Sequence, residues 1–234
     1  IDQQLIVSAM HLSPEFGLTV QQIEKDGFEI SEKIEMLLSS DTTVGVTKSI
    51  GLGIISFGEV LNRSKPDLLI ILGDRFEALA MATAATIMGV PIMHLHGGEI
   101  TEGAYDDSIR HAITKFSHLH GVSSESSRKR VIQLGEDPKN VFTIGALGIE
   151  HIYKNKLASL SKVEKSIDFN LGKKYFLLAY HPATNSNEKA ESTITNMLSI
   201  VNEFSEFKIL ITLANADNGG RSINAIIRKF EKKY

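Results

Sequence analysis

The stretch Asp67-Leu68-Leu69-Ile70-Ile71-Leu72-Gly73-Asp74-Arg75-Phe76-Glu77 decides the fold. Five successive aliphatic residues with no polar alternation read as a strand buried on both faces, as in a parallel sheet covered by helices. The strand stops at Gly73, and the apolar run Ala78 to Met93 reads as a buried helix followed by another strand. That run is interrupted by Gly89 and Pro91 and falls short of the ~20 residues that a membrane span requires.

Similar short β-branched runs occur at Leu5–Ala9, Val90–His94, Leu119–Ser123, Val141–Ile144, Tyr175–Tyr180 and Phe207–Leu213. Apolar residues at three- and four-residue steps, Ile194-Met197-Leu198-Val201-Phe204 and Ile223-Ile226-Ile227-Phe230, mark helices between them. Strands alternating with helices imply right-handed βαβ units and doubly wound, Rossmann-like α/β sheets. The Lys- and Ser-rich stretch from Tyr153 to Lys174 separates two such series. A first domain is therefore expected over 1–155, a linker over 156–174 and the first part of a second domain over 175–234. Two strands are few for a sheet, so the second series is expected to be truncated or completed by a partner.

Composition narrows the chemistry. With 25 Lys+Arg against 28 Asp+Glu, the formal charge of −3 gives no general attraction to nucleic acid or an anionic membrane, and any phosphate must be held locally. The absence of Cys excludes disulfides, thiolate metal sites and a cysteine nucleophile, and accords with a cytoplasmic location. Ile1-Asp2-Gln3-Gln4 has neither an initiator Met nor the pattern of a signal peptide, so further chain is expected upstream. Gly51-Leu52-Gly53 does not form a dinucleotide fingerprint, and Arg128-Lys129-Arg130 reads as a solvated helix face.

Ligands of open α/β sheets collect at the carboxyl ends of the strands, and four polar clusters stand there. In Gly73-Asp74-Arg75-Phe76-Glu77, Asp74 suits a helix N-cap, and Arg75 beside a helix N-terminus suits a phosphate clamp. In His94-Leu95-His96-Gly97-Gly98-Glu99, two alternate histidines share one face of a strand, so a metal-dependent hydrolase is one reading and a hydrogen-bonded core histidine the plainer one. Asp106-Asp107 precede a helix carrying Ile109, Ala112, Ile113 and Phe116, which makes one of them an expected N-cap. His181-Pro182-Ala183-Thr184-Asn185 and Asn215-Ala216-Asp217-Asn218-Gly219-Gly220 follow the strands of the second series, and a cleft between the domains would collect all four clusters.

These pieces, with His11-Leu12-Ser13-Pro14-Glu15-Phe16-Gly17, Ser49-Ile50-Gly51-Leu52-Gly53 and Asp107-Ser108-Ile109-Arg110-His111-Ala112-Ile113-Thr114-Lys115, resemble the hydrolysing branch of the UDP-N-acetylglucosamine 2-epimerase family, used in making sialic-acid-type sugars. The resemblance implies two Rossmann-like domains in the glycosyltransferase-B arrangement, a UDP-sugar substrate, a homo-oligomer, and no metal or other cofactor. It implies Asp74 and Asp106 as catalytic carboxylates and His181 and Asn215 as nucleotide contacts of the second domain, and Arg75, Asp107 and Arg110 stand beside them as candidate substrate-binding residues. It also implies a Gly-Thr-Arg loop upstream of Ile1 and a Ser/Gly-rich loop beyond Tyr234.

The sequence departs from the family at one point. Many relatives carry Glu two residues after the first histidine of the strand-end motif, where this chain has His96, with Glu99 three residues later, so the acid–base group is His96 or Glu99. The expected reaction is release of UDP and N-acetylmannosamine from UDP-N-acetylglucosamine by elimination and hydration. The alternatives are a UDP-N,N'-diacetylbacillosamine 2-epimerase, a retaining glycosyltransferase, a metal-dependent hydrolase using His94 and His96, and an inactive binding module.

Overall fold

In a computed structural model, residues 1–40, 42–154, 156–181, 190–215 and 219–233 are described. The chain divides into two compact units, Ile1–Ile149 and Glu150–Tyr234.

The first unit contains β1 (Ile6–Ser8), α1 (Val20–Lys25), β2 (Glu32–Ile34), α2 (Thr43–Ser64), β3 (Leu69–Leu72), α3 (Phe76–Ile87), β4 (Ile92–Leu95), α4 (Asp106–Phe116), β5 (Leu119–Val122), α5 (Glu125–Gln133) and β6 (Val141–Thr143). α6 (Leu147–Lys154) runs across the division. β1 pairs with β2, and β3-β4-β5-β6 form a second sheet in sequence order; every pairing is parallel. The α/β, parallel-sheet reading therefore holds. Parallel neighbours in sequence order place all the strand carboxyl ends, and the loops that follow them, along one edge.

Leu69 and Ile71 of β3 enter a core with Phe57, Val60 and Leu61 of α2, Phe76 and Ala80 of α3, Ile92 of β4 and Ile113 of α4. Each large side chain buried there contributes about 1.5–3 kcal/mol. The expectation that β3 is buried on both faces is corrected: Ile70 is 58% and Leu72 57% exposed. An uninterrupted aliphatic run records what a strand can bury, not whether both faces are covered within the chain at hand.

α2, a 22-residue helix capped by the Thr42 hydroxyl, is long and apolar enough to cross a bilayer by length and composition. In this unit it buries Val46, Phe57, Val60 and Leu61 in the core.

The second unit holds α7 (Leu160–Ile167), β7 (Tyr175–Ala179), α8 (Ala190–Asn202), β8 (Lys208–Thr212) and α9 (Gly220–Glu231). β7 and β8 pair in parallel, and Ile194 and Leu198 of α8 pack with Ala214 and with Ile223 and Ile227 of α9. α7 lies within the Lys- and Ser-rich stretch, capped by the Ser159 hydroxyl.

Candidate active site

The carboxyl ends of β3 and β4, the start of α4 and the segment after β6 enclose a cleft of about 310 Å³ lined by Leu72, Gly73, Asp74, His96, Glu99, Arg110, Leu147 and Gly148. All of these belong to the first unit.

Arg110 organises the cleft. Its Nη2 donates to Asp74 Oδ2 and to Thr101 Oγ1 (2.9 Å), and its Nη1 to the Glu99 carbonyl (2.9 Å) and Asp107 Oδ1 (3.3 Å). The guanidinium is buried, which draws its pKa below the ordinary value. Four acceptors offset the desolvation of that cation, and removing one charged partner of such a buried pair costs about 3–5 kcal/mol. Asp107 also accepts from the Thr101 backbone N–H at 3.2 Å, closing the loop ahead of α4.

The expected caps are corrected. Arg75, not Asp74, is the N-cap residue of α3, and Tyr105 is that of α4, leaving Asp106 and Asp107 inside its first turn. Neither cap residue forms a side-chain cap bond. Asp74 is turned instead toward Arg110, a partner distant in sequence that local propensity does not register.

His94 and His96 have separate environments, which corrects the shared face expected for them. His94 is fully buried on β4; its Nε2 donates to the Gly73 carbonyl at 2.7 Å, and its Nδ1 lies 3.1 Å from Thr114 Oγ1. Burial, opposed by the Gly73 hydrogen bond and aided by the neighbouring His120 and His96, pushes its pKa down to about 4. A neutral ring with both nitrogens engaged does not serve as a metal ligand, and among the described residues no group of three His, Cys, Asp or Glu is placed to hold a metal ion.

His96 stands past the end of β4 with φ +63°, a left-handed conformation that breaks the strand's alternation and turns the ring toward the cleft. Its backbone N–H donates to the Gly121 carbonyl at 2.8 Å. Its Nδ1 lies 2.8 Å from Glu99 Oε1, which also accepts from Ser123 Oγ at 2.6 Å, and Nε2 lies 3.5 Å from the Leu147 backbone N–H.

The loop between His96 and Glu99 lies tightly on α5. A Cβ at Gly98, where φ is +76°, would stand 2.4 Å from the Ser127 carbonyl, so only glycine fits. Arg130 donates to the Gly98 carbonyl, while Arg128 holds the carbonyls of Val141 and Pro138. The reading of 128–130 as a solvated face is thereby corrected for both arginines.

Arg75 lies over the Phe76 ring with its Nε 3.3 Å from Glu77 Oε1, and neither it nor Asp106 lines the cleft. In the second unit, His181 is exposed just after β7 and Asn215 is half-buried after β8. Asn224 of α9 fixes Ala214 by two hydrogen bonds, and the Asn215 carbonyl approaches Gly220 too closely to admit a side chain there. Pro182 to Asn185 and Ala216 to Asn218 lie outside the described residues. Ser123, Thr101 and Thr114 were not among the expected site residues; Ser123 alone carried a signal, since it directly follows a strand.

A parallel sheet with a charged, hydrogen-bonded cleft at its carboxyl edge is the arrangement in which open α/β folds hold their ligands. The chain belongs to the UDP-N-acetylglucosamine 2-epimerase family, whose model matches residues 1–234. It is 41% identical over 230 residues to the GDP/UDP-N,N'-diacetylbacillosamine 2-epimerase (hydrolyzing) of Campylobacter jejuni, covering 98% of this chain and 60% of that protein. It is 34% identical over 232 residues to the UDP-N,N'-diacetylbacillosamine 2-epimerase (hydrolyzing) of Legionella pneumophila, with the same coverage. The chain thus spans about 60% of the length of these curated relatives. Its fold matches the crystal structure of UDP-GlcNAc 2-epimerase from Neisseria meningitidis bound to UDP-GlcNAc with a TM-score of 0.76 at 17% identity, over 99% of this chain and 62% of that one.

Proposed function

We propose that the protein is a hydrolysing UDP-sugar 2-epimerase acting on UDP-N,N'-diacetylbacillosamine, and that the cleft around Asp74, His96 and Arg110 is its sugar site. The sequence alone put UDP-N-acetylglucosamine first. Two relatives at 41% and 34% identity carry the diacetylbacillosamine name, which moves that substrate ahead.

The observation that carries the catalytic reading is a single cleft holding a carboxylate, an imidazole and a buried guanidinium, each fixed by its neighbours. Breaking the C2–H bond leaves its electron pair to form C1=C2 as the C1–O bond to UDP breaks, and the base keeps the proton. Water then adds its OH to C1 and a proton returns to C2 from the opposite face, so no redox cofactor enters. His96 Nε2 takes the C2 proton, since its contact with the Leu147 N–H is long at 3.5 Å, whereas Asp74 Oδ2 is committed to Arg110 and Glu99 Oε1 to two close donors.

The charge of Arg110 is offset within the cleft, so in the first unit Arg75 and helix N-termini are the proposed diphosphate contacts, and His181 and Asn215 keep the nucleotide-contact role that the family resemblance gives them. Asp106, in the first turn of α4 and outside the cleft lining, is assigned no proton-transfer step, and Asp107 with Arg110 binds by holding the loop against the sugar. The proposal includes a cytoplasmic location and a homo-oligomer.

Incubating full-length protein with each UDP-sugar and measuring released UDP tests this reading. A higher kcat/KM for UDP-N,N'-diacetylbacillosamine is expected. A preference for UDP-N-acetylglucosamine would reverse the substrate order, and no UDP release from either would refute the function.

A further inference from the structure

We infer that Ser123 and Glu99 form a positioning device that fixes the tautomer of His96, holding the proton on Nδ1 and presenting the Nε2 lone pair to the cleft. The inference rests on the acid–base role proposed for His96 and deepens it. Three strand-end segments supply the parts: His96 follows β4, Glu99 stands on the Gly98 loop, and Ser123 follows β5.

The direction of the hydrogen bonds follows from the groups. An ionised carboxylate only accepts, so Glu99 Oε1, 2.8 Å from Nδ1 and 2.6 Å from Ser123 Oγ, requires a proton on each of these partners. A neutral imidazole with Nδ1 protonated has its lone pair on Nε2. The Leu147 backbone N–H, 3.5 Å from Nε2, presents a donor on that side, as a lone pair there requires.

Ser123 matters because Glu99 is on a loop and is partly exposed. The hydroxyl gives the carboxylate a second anchor on the sheet, so that Oε1 stays aimed at the ring. The left-handed backbone at His96 is a conformation of modest cost that fixed partners on both sides of the ring sustain. Once Nε2 has taken a proton, the imidazolium faces the Glu99 carboxylate, which stabilises the charge without accepting the proton itself. His94, two positions away, shows the opposite arrangement: its Nε2 donates to a carbonyl, so it is the Nε2–H tautomer.

The direct test is ¹⁵N NMR of the imidazoles in full-length protein labelled at histidine, with His96 assigned by its loss in His96→Gln. At a pH where His96 is neutral, the expected spectrum shows an unprotonated Nε2 for His96 and an unprotonated Nδ1 for His94. Glu99→Gln should mix or reverse the His96 tautomers, and Ser123→Ala should broaden them. An Nε2–H tautomer for His96 in the unaltered protein overturns the inference, whether or not any UDP-sugar is turned over. Absence of UDP release with the expected spectrum refutes the proposed function and leaves the positioning device standing.

Kinetics supply the second readout. Glu99→Gln should lower kcat about 10²–10⁴-fold with KM and thermal midpoint near those of the unaltered enzyme. Ser123→Ala should lower it about tenfold, with Ser123→Thr restoring most of the loss. Equal loss of kcat in Ser123→Ala and Ser123→Thr, or a fall in midpoint that accounts for the lost activity, would reduce both residues to structural parts.

Discussion

Beneath the sheet, His94 and His120 face each other across β4 and β5; at its carboxyl edge, His96 faces the cleft. One residue type is a buried structural group in the first place and, in the proposed mechanism, an accessible base in the second. The separation comes from the backbone, since Leu95 completes the strand and the left-handed turn at His96 redirects the next ring. His94 is neutral and anchors the Gly73 carbonyl beside Asp74, while His120 is buried with Nε2 3.3 Å from Glu136. Burial also lowers the pKa of His120, against the pull of Glu136. Chemistry belongs at the edge and stability beneath it, and substitutions on the two sides should give different signatures.

The largest effect is expected at the edge. Asp74→Asn keeps shape and loses the negative charge that holds Arg110 in the cleft, and with about 3–5 kcal/mol lost there UDP release should fall about 10²–10⁴-fold. Because Asp74 is not the cap of α3, any fall in thermal midpoint measures its pairing with Arg110 rather than a helix end. Near-normal turnover would remove Asp74 from the chemistry.

Beneath the sheet the response is to pH. The folded state holds His94 at a pKa of about 4 against 6.5 for a free histidine, so the unfolded chain binds the proton more readily between those values. The stability from keeping this ring neutral is present above about pH 6.5 and lost as pH falls to about 4, a contribution of about 3 kcal/mol. Denaturant titrations at pH 7 and pH 4 should show a smaller acid loss for His94→Gln than for the unaltered protein. An identical loss in both would contradict the assignment of His94 as a buried neutral group.

A smaller effect is expected at Arg75, which lies outside the cleft. If it meets the diphosphate, Arg75→Ala should weaken UDP binding about tenfold by calorimetry in full-length protein, the loss of one charge-assisted hydrogen bond. Unchanged affinity would return Arg75 to its contacts with Phe76 and Glu77. The smallest effect is that of a chelator: with both His94 nitrogens engaged, turnover should persist in EDTA and without added NAD. Activity lost to chelation and restored by zinc would overturn the separation of the two histidines.

Much of this division was legible in the sequence. The runs ending at Leu72 and His94 located the sheet, and the rule that ligands gather after parallel strands located Asp74, His96 and Glu99. Short-range signals failed where partners are distant. β2 escaped notice because Glu32-Lys33-Ile34 has no apolar run and exists only through pairing with β1. The cap position considered for Asp74 was wrong because its ion pair to Arg110 spans two elements, and Arg130 was read as solvated because its acceptor is the distant Gly98 carbonyl. The His94-x-His96 alternation suggested one shared face, and the positive φ that ends it has no signature in those two residues. The outer face of β3 shows the same limit from the other side: composition predicted burial, and Ile70 and Leu72 are exposed.

The central claim is that the cleft removes the carbon-2 proton while UDP departs, and the origin of the carbon-2 hydrogen in the product tests it most directly. Full-length enzyme is run in D₂O with UDP-N,N'-diacetylbacillosamine, and the released sugar is analysed by NMR and mass spectrometry. Elimination followed by hydration predicts free UDP and a sugar inverted at carbon 2, with one solvent deuterium there. A released sugar that keeps its original configuration and its proton at carbon 2 would show simple glycosyl hydrolysis and contradict the account.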